Sequence, residues 1–249
     1  MEELHSIMQN IKFISSTDVF SVLDSLSQIF NFQFIKNLKT AIQSISNQSS
    51  KSEERINILK NINVEQVHYT YEFQKLYDTI DEAAKFEDKT TLKFAIDNNY
   101  LKIKGLDDPL NINVCTYAAS IHNLFLLKSL HNLGAERDDF SSILTEFCRN
   151  GNLQGVKFAV EDCGVNINQM NVRAQLPLYY AARRLDYNIC SYLCSLKNIL
   201  KVCFDPNTQE FATIYDSIPK WYKSLNIQEL FKMTDEEKEI ASRLFHLKL

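Results

Sequence analysis

Ala83–Asp97 reads AAKFEDKTTLKFAID, Ala118–Asn132 AASIHNLFLLKSLHN, Phe147–Glu161 FCRNGNLQGVKFAVE and Ala181–Ser195 AARRLDYNICSYLCS. Each opens on a pair, small in three of the four, passes through a short polar break and ends in an apolar helical stripe. Nine residues after the second member of each pair stand Lys93, Lys128, Lys157 and Ser191. The anchors Ala84, Ala119, Cys148 and Ala182 are spaced by 35, 29 and 34 residues. A period near that length with two short amphipathic segments per unit is the mark of a helical repeat array, because no single unit can bury its own apolar face.

The composition agrees. At 249 residues, 45% apolar and 23% charged, the chain is long enough to bury a substantial core. A net charge of −4 and a pI near 5.8 argue against a general affinity for nucleic acid or anionic membrane, while leaving room for a local basic patch. No window approaches eighteen uninterrupted apolar residues, so no membrane span is expected. The opening MEELHSIMQN is acidic where a signal peptide is basic, so the six cysteines are expected as reduced thiols in a cytosol. The acceptor pattern Asn47-Gln48-Ser49 then has no role.

Four segments are expected. Residues 1–46 form an N-terminal helical segment: Leu4, Ile7, Met8, Ile11 and Ile14 share one helical face, Ser16 or Thr17 caps a second helix, and Phe34, Ile35, Leu38, Ala41, Ile42 and Ile45 mark a third. Residues 47–56, within the run SNQSSKSEER, read as a polar linker or loop. Residues 57–204 hold the repeat array with its leading helices, the repeats themselves spanning roughly 75–200. Residues 205–249 form a C-terminal helical cap, with a turn at Asp205-Pro206-Asn207-Thr208 and a capping box from Thr234 and Glu237. Almost nothing reads as strand.

Leu176-Pro177-Leu178-Tyr179-Tyr180-Ala181-Ala182 resembles the Thr-Pro-Leu-His-x-Ala-Ala opening of an ankyrin repeat. Asn166-Ile167-Asn168, Asn171 and Ala174 fall where that family places Asp-Val-Asn, Asp and a turn glycine. Arg149–Asn168 resembles its polar turn, second helix and outgoing loop, and Leu124–Ala135 its second helix ending in Leu-Gly-Ala. Leu176 and Tyr179 depart from the pattern, and Glu87, His122 and Leu185 stand where a glycine would reverse the chain. The resemblance implies an all-α ankyrin-type solenoid of three or four degenerate units, with a shortened loop at the 29-residue spacing. The N-terminal helices lie outside it.

Catalytic and metal motifs are weak. Cys190, Cys194 and Cys203 lack a Cys-x-x-Cys pair and sit in an apolar stripe, so buried thiols are expected in place of zinc ligands. The histidines His5, His68, His122, His131 and His246 form no His-x-x-x-His pair. Gly151–Lys157 has a passing likeness to a phosphate loop, but its lysine does not follow glycine directly and no Ser or Thr comes next. No cofactor or metal is expected.

The resemblance implies a protein partner on the concave face, touched by turn tips and first helices. It selects Arg173, Gln175, Tyr180, Arg183 and Arg184 in one unit and Glu146, Arg149 and Asn150 in the preceding one, beside Arg137, Asp138 and Asp139. Tyrosine with arginine is the chemistry of interface hot spots. A non-catalytic adaptor or scaffold in the cytoplasm is the leading expectation. The alternatives are a secreted effector of an intracellular microbe that binds a host protein in the host cytosol, and an enzyme whose active site lies in the non-repeat helices.

Overall fold

The structure is a computed structural model that describes residues 33–62, 69–104, 112–205, 210–217 and 226–245. The helices expected at 2–14 and after Ser16 lie outside these residues, as do His5, His68 and His246. The chain divides into two units, residues 1–58 and 59–249.

The described part of the first unit is helical. Helix α1, Gln33–Lys60, runs without a break through 47–56, so the expected linker or loop is helix. The physical reason is that the run contains neither glycine nor proline, and Lys51, Glu53, Glu54 and Arg55 are good helix formers. Ser52 donates its hydroxyl to Gln48 O at 3.0 Å, one turn back, so its side chain bonds within the helix. Polarity here marks a solvated helix face: residues 46–51 are all exposed.

The second unit is built from four antiparallel helix pairs: α2 (Gln74–Lys85) with α3 (Lys89–Asp97), α4 (Val114–Ser120) with α5 (Leu124–Asn132), α6 (Ile143–Asn150) with α7 (Leu153–Lys157, continued by a π turn to Asp162), and α8 (Pro177–Arg184) with α9 (Tyr187–Cys194). Every pair is joined in the same way. A single residue in the left-handed region reverses the chain: Glu87 (φ 53°), His122 (φ 63°), Gly151 (φ 76°) and Leu185 (φ 59°). The next residue, Asp88, Asn123, Asn152 or Asp186, accepts a hydrogen bond from the backbone N–H three residues on and so caps the second helix. The three non-glycine reversals are the positions at which the sequence departs from the expected glycine. The left-handed geometry is kept, at a cost of roughly 1–2 kcal/mol for each residue that has a Cβ.

The paired positions face the neighbouring helices. Ala83, Ala84, Ala118, Ala119, Phe147, Cys148, Ala181 and Ala182 are all 2% exposed or less. Eight residues beyond the first member stand Thr91, Leu126, Gly155 and Ile189. Three units thus combine alanine with a larger residue, and the third reverses the sizes, Phe147 against Gly155. A Cβ added at Gly155 would meet the Phe147 ring at 2.4 Å, so the ring occupies the volume that a side chain holds elsewhere. One apolar cluster runs through all four pairs from Leu59 to Phe231.

The last loop becomes a two-stranded antiparallel sheet, β1 (Val202–Asp205) with β2 (Glu210–Thr213). The turn expected at 205–208 falls, past Asp205, outside the described residues, while residues 210–213, expected as helix, are strand. Cross-strand pairing such as Phe204 opposite Phe211, with rings 5.4 Å apart, favours strand there. After a short helix, α10 (Ile214–Ser217), and a 3₁₀ turn (Asn226–Phe231), helix α11 (Asp235–Phe245) closes the end. The capping box forms: Thr234 Oγ1 accepts from Glu237 N–H at 3.2 Å, and Glu237 Oε2 from Thr234 N–H at 2.8 Å. Glu237 also pairs with the buried Lys201, which donates to Lys232 O at 3.0 Å and so ties the cap to the residue before β1. Among the described residues, no helix is long and apolar enough to cross a membrane.

Candidate protein-binding cleft

The loops between successive helix pairs are held by local bonds where they are described. Lys104 bridges Asn113 in antiparallel fashion, and the turn Asn171–Gln175 is closed by Asn171 N–H to Gln175 O at 3.1 Å. The loop between α5 and α6 is different. At the 29-residue spacing it contracts to a 3₁₀ turn, Arg137–Phe140, held by a reciprocal capping box between Glu136 and Asp139. Beside this short turn a cleft of about 170 Å³ stands over the third unit. Lys104, Ile112 and Thr116 line one side and Met170–Arg173 with Tyr180 the other, while Ser142, Thr145, Glu146 and Arg149 of the α6 segment line the rest.

Local bonds fix these walls. Asn171 Oδ1 accepts from the N–H groups of Arg173 and Gln175, and its Nδ2 donates to Tyr180 Oη at 2.8 Å. Ala174 takes φ 55°, the bend expected at the turn-glycine position. Glu146 is buried and pairs with Arg149 at 2.7 Å. Lys104 and Arg173 are exposed, and neither forms an ion pair with another described residue.

Four of the eight residues selected from sequence line this cleft: Glu146, Arg149, Arg173 and Tyr180. The other four do not. Gln175 is buried, contrary to its expected place at a turn tip, and its amide serves β1: Nε2 donates to Phe204 O at 2.6 Å and Oε1 accepts from Phe204 N–H at 3.2 Å. Asn150 donates to Ser120 O at 2.9 Å and Arg184 to Arg149 O at 3.3 Å. Asn150 and Arg184 occupy one register, each two residues after its pair, and each satisfies a carbonyl at the end of the preceding unit's first helix. They fasten repeat to repeat. Arg183 is exposed, its guanidinium 5.8 Å from the Tyr179 ring centroid. Of the loop residues, Arg137 and Asp138 are exposed, whereas Asp139 is buried.

The cleft residues missed by sequence reading are Lys104, Ile112, Thr116, Ser142, Thr145 and Met170–Val172. The 29-residue spacing was the available signal: a deletion in one loop exposes the faces of the loops on either side.

Cysteine chemistry is confined to the interior. All six cysteines stand outside any disulfide, and all but Cys194 are buried. Burial raises the thiols of Cys115 and Cys148 well above the ordinary value, Cys163 to about 12 and Cys194 to about 11. Among the described residues, no three His, Cys, Asp or Glu side chains converge as a metal site. The Gly151–Lys157 stretch is a helix reversal, an Asx cap at Asn152 and the first residues of α7.

Residues 115–205 match the family model of ankyrin repeats, in three copies. No curated protein matches the chain. The matched stretch coincides with the second, third and fourth helix pairs and β1, and the pair α2/α3 upstream repeats their reversal and cap geometry. Repeat geometry and family match agree that residues 115–205 form ankyrin-type repeats.

Proposed function

We propose that the chain is a non-catalytic binding module, an adaptor or scaffold that takes a protein partner in the cleft over its third repeat. Ankyrin repeats are in general protein–protein interaction modules and typically non-catalytic. The observation that carries the reading to a place is the shortened loop at Arg137–Phe140, which leaves a polar-walled cleft between two neighbouring loops. Six cysteines outside any disulfide fit a reducing compartment, in keeping with a cytoplasmic protein.

The test is peptide display on the immobilised full chain and on Ser142→Trp, which places a large ring at an exposed wall position. Peptides enriched on the wild type and lost on Ser142→Trp would support the reading. The same peptides enriched on both proteins would remove the cleft as the site, and no enrichment on either would remove the peptide-binding reading.

A further inference from the structure

The chain carries a net charge of −4, yet the cleft is basic. Among the described residues that line it are Lys104, Arg149 and Arg173, against one carboxylate, that of Glu146, which Arg149 already pairs. Arg183 and Arg184 extend the positive surface along α8. Apolar surface lies beside the charge: Met170 is half-buried and Val172, next to Arg173, is 62% exposed. Ser142 and Thr145 add hydroxyl donors at the wall. Such a set of groups matches a chain segment with alternating carboxylates and apolar side chains, since guanidinium and ammonium grip carboxylates while the apolar residues cover Met170 and Val172.

We propose that the partner is read through a short acidic segment, rich in Asp or Glu with apolar residues between, seated between Lys104 and Arg173. The inference rests on the protein-binding reading above and specifies its ligand. Glu146 keeps Arg149 in place from below, so Arg173 and Lys104 are the cations left to meet the ligand. A lysine-bearing segment would face the like charges of Lys104 and Arg173 and is rejected.

The probe is a fluorescein-labelled peptide of alternating glutamate and leucine, read by anisotropy with the full chain, beside counterparts in which glutamine or lysine replaces glutamate. The glutamate peptide is expected to bind at least about tenfold more tightly than the glutamine one, and the lysine peptide not at all. Arg173→Glu and Lys104→Glu should each weaken it by about tenfold or more, and binding should vanish near about 1 M salt, where the screening length is about 3 Å. Both positions are exposed, and Arg173→Glu should gain affinity for the lysine peptide, which separates lost recognition from lost folding. Equal affinity for the glutamate and glutamine peptides, unchanged binding by Arg173→Glu, or a single-stranded RNA that binds more tightly than the peptide would overturn the proposal. Should the glutamate peptide fail while display still yields sequences lost on Ser142→Trp, the acidic ligand is wrong and the cleft stands. Should Ser142→Trp change nothing, the site itself is wrong.

Discussion

Replacing Gly155 by alanine should destabilise the protein, against the usual rule. In a helix interior, glycine to alanine ordinarily stabilises by roughly 0.5–1 kcal/mol, because glycine loses more freedom on folding. At Gly155 the new methyl would lie 2.4, 2.5 and 2.6 Å from three carbons of the Phe147 ring, where about 3.5–4.0 Å is comfortable. Phe147 is fully buried, so the ring cannot swing into solvent. Overpacking of this kind costs about 1–3 kcal/mol. Subtracting the helix gain leaves a net loss of up to about 2.5 kcal/mol, about 1 kcal/mol at the centre of the ranges, read as a fall of about 0.5 M in the urea midpoint. A second arm restores the sizes of the other units, in which buried Ala118 and Ala181 stand eight residues before buried Leu126 and Ile189. Phe147→Ala alone should cost about 3–5 kcal/mol, and the double variant Phe147→Ala, Gly155→Leu should be more stable than either single variant, a coupling of at least about 1 kcal/mol. A midpoint for Gly155→Ala at or above that of the wild type, or strictly additive effects in the double variant, would refute the size exchange.

Four further outcomes are expected. His122→Gly relieves a left-handed residue that is exposed and should raise stability by roughly 0.5 kcal/mol, the strain removed exceeding the added freedom of the unfolded chain; a lowered urea midpoint would contradict it. Asp186→Ala removes the cap of α9 and should cost about 0.5–2 kcal/mol, with Asp186→Asn nearly neutral; equal losses in the two would mean that the cap bond to Ile189 N–H is not the cause. Asp139 is buried with one carboxylate oxygen unpartnered, and burial raises its pKa, so the native state holds that proton more tightly than the unfolded chain does. The ionised form is therefore a burden at neutral pH that lifts as pH falls through the raised value toward the ordinary carboxylate range; the advantage of Asp139→Asn in urea midpoint should be largest near neutrality and shrink in acid, and a pH-independent difference would count against it. Finally, alkylation of the native chain followed by mass mapping should concentrate on Cys194; rapid modification of Cys115 or Cys148 would show that the core opens readily.

The helix pairs were legible because burial imposes a period on sequence: small residues at Ala83-Ala84, Ala118-Ala119 and Ala181-Ala182 are required by close helix approach. Phe147-Cys148 kept its place in that pattern through the offset to Lys157 alone, and its meaning emerged only when the structure placed Gly155 against the ring. The helix through 47–56 was missed because serine and asparagine report solvent exposure as strongly as they report turns. The hairpin at 202–213 was missed because two short strands give too few residues for an alternating pattern to rise above a helical background. For the cleft, first-helix positions such as Glu146, Arg149 and Tyr180 follow from repeat register. Lys104, Ile112 and Ser142 belong to it only because a neighbouring loop is short. Exposure read from polarity misled at Gln175, which is buried, while Asn150 and Arg184 also hold backbone carbonyls of the preceding unit.

Gln175 uses its side-chain amide as a peptide group turned sideways, completing β1 while its own backbone closes the turn at Asn171. One residue thus belongs to both the rim of the cleft and the hairpin against which α11 packs through Phe211 and Phe245. Fluctuations that loosen the rim must break the two bonds to Phe204, so rim and end-cap open as one cooperative unit on the hydrogen-exchange timescale. By thermodynamic reciprocity, whatever free energy an occupant gives to the rim is felt at the far end of the chain, and the protection of the Phe204 amide becomes a remote gauge of occupancy.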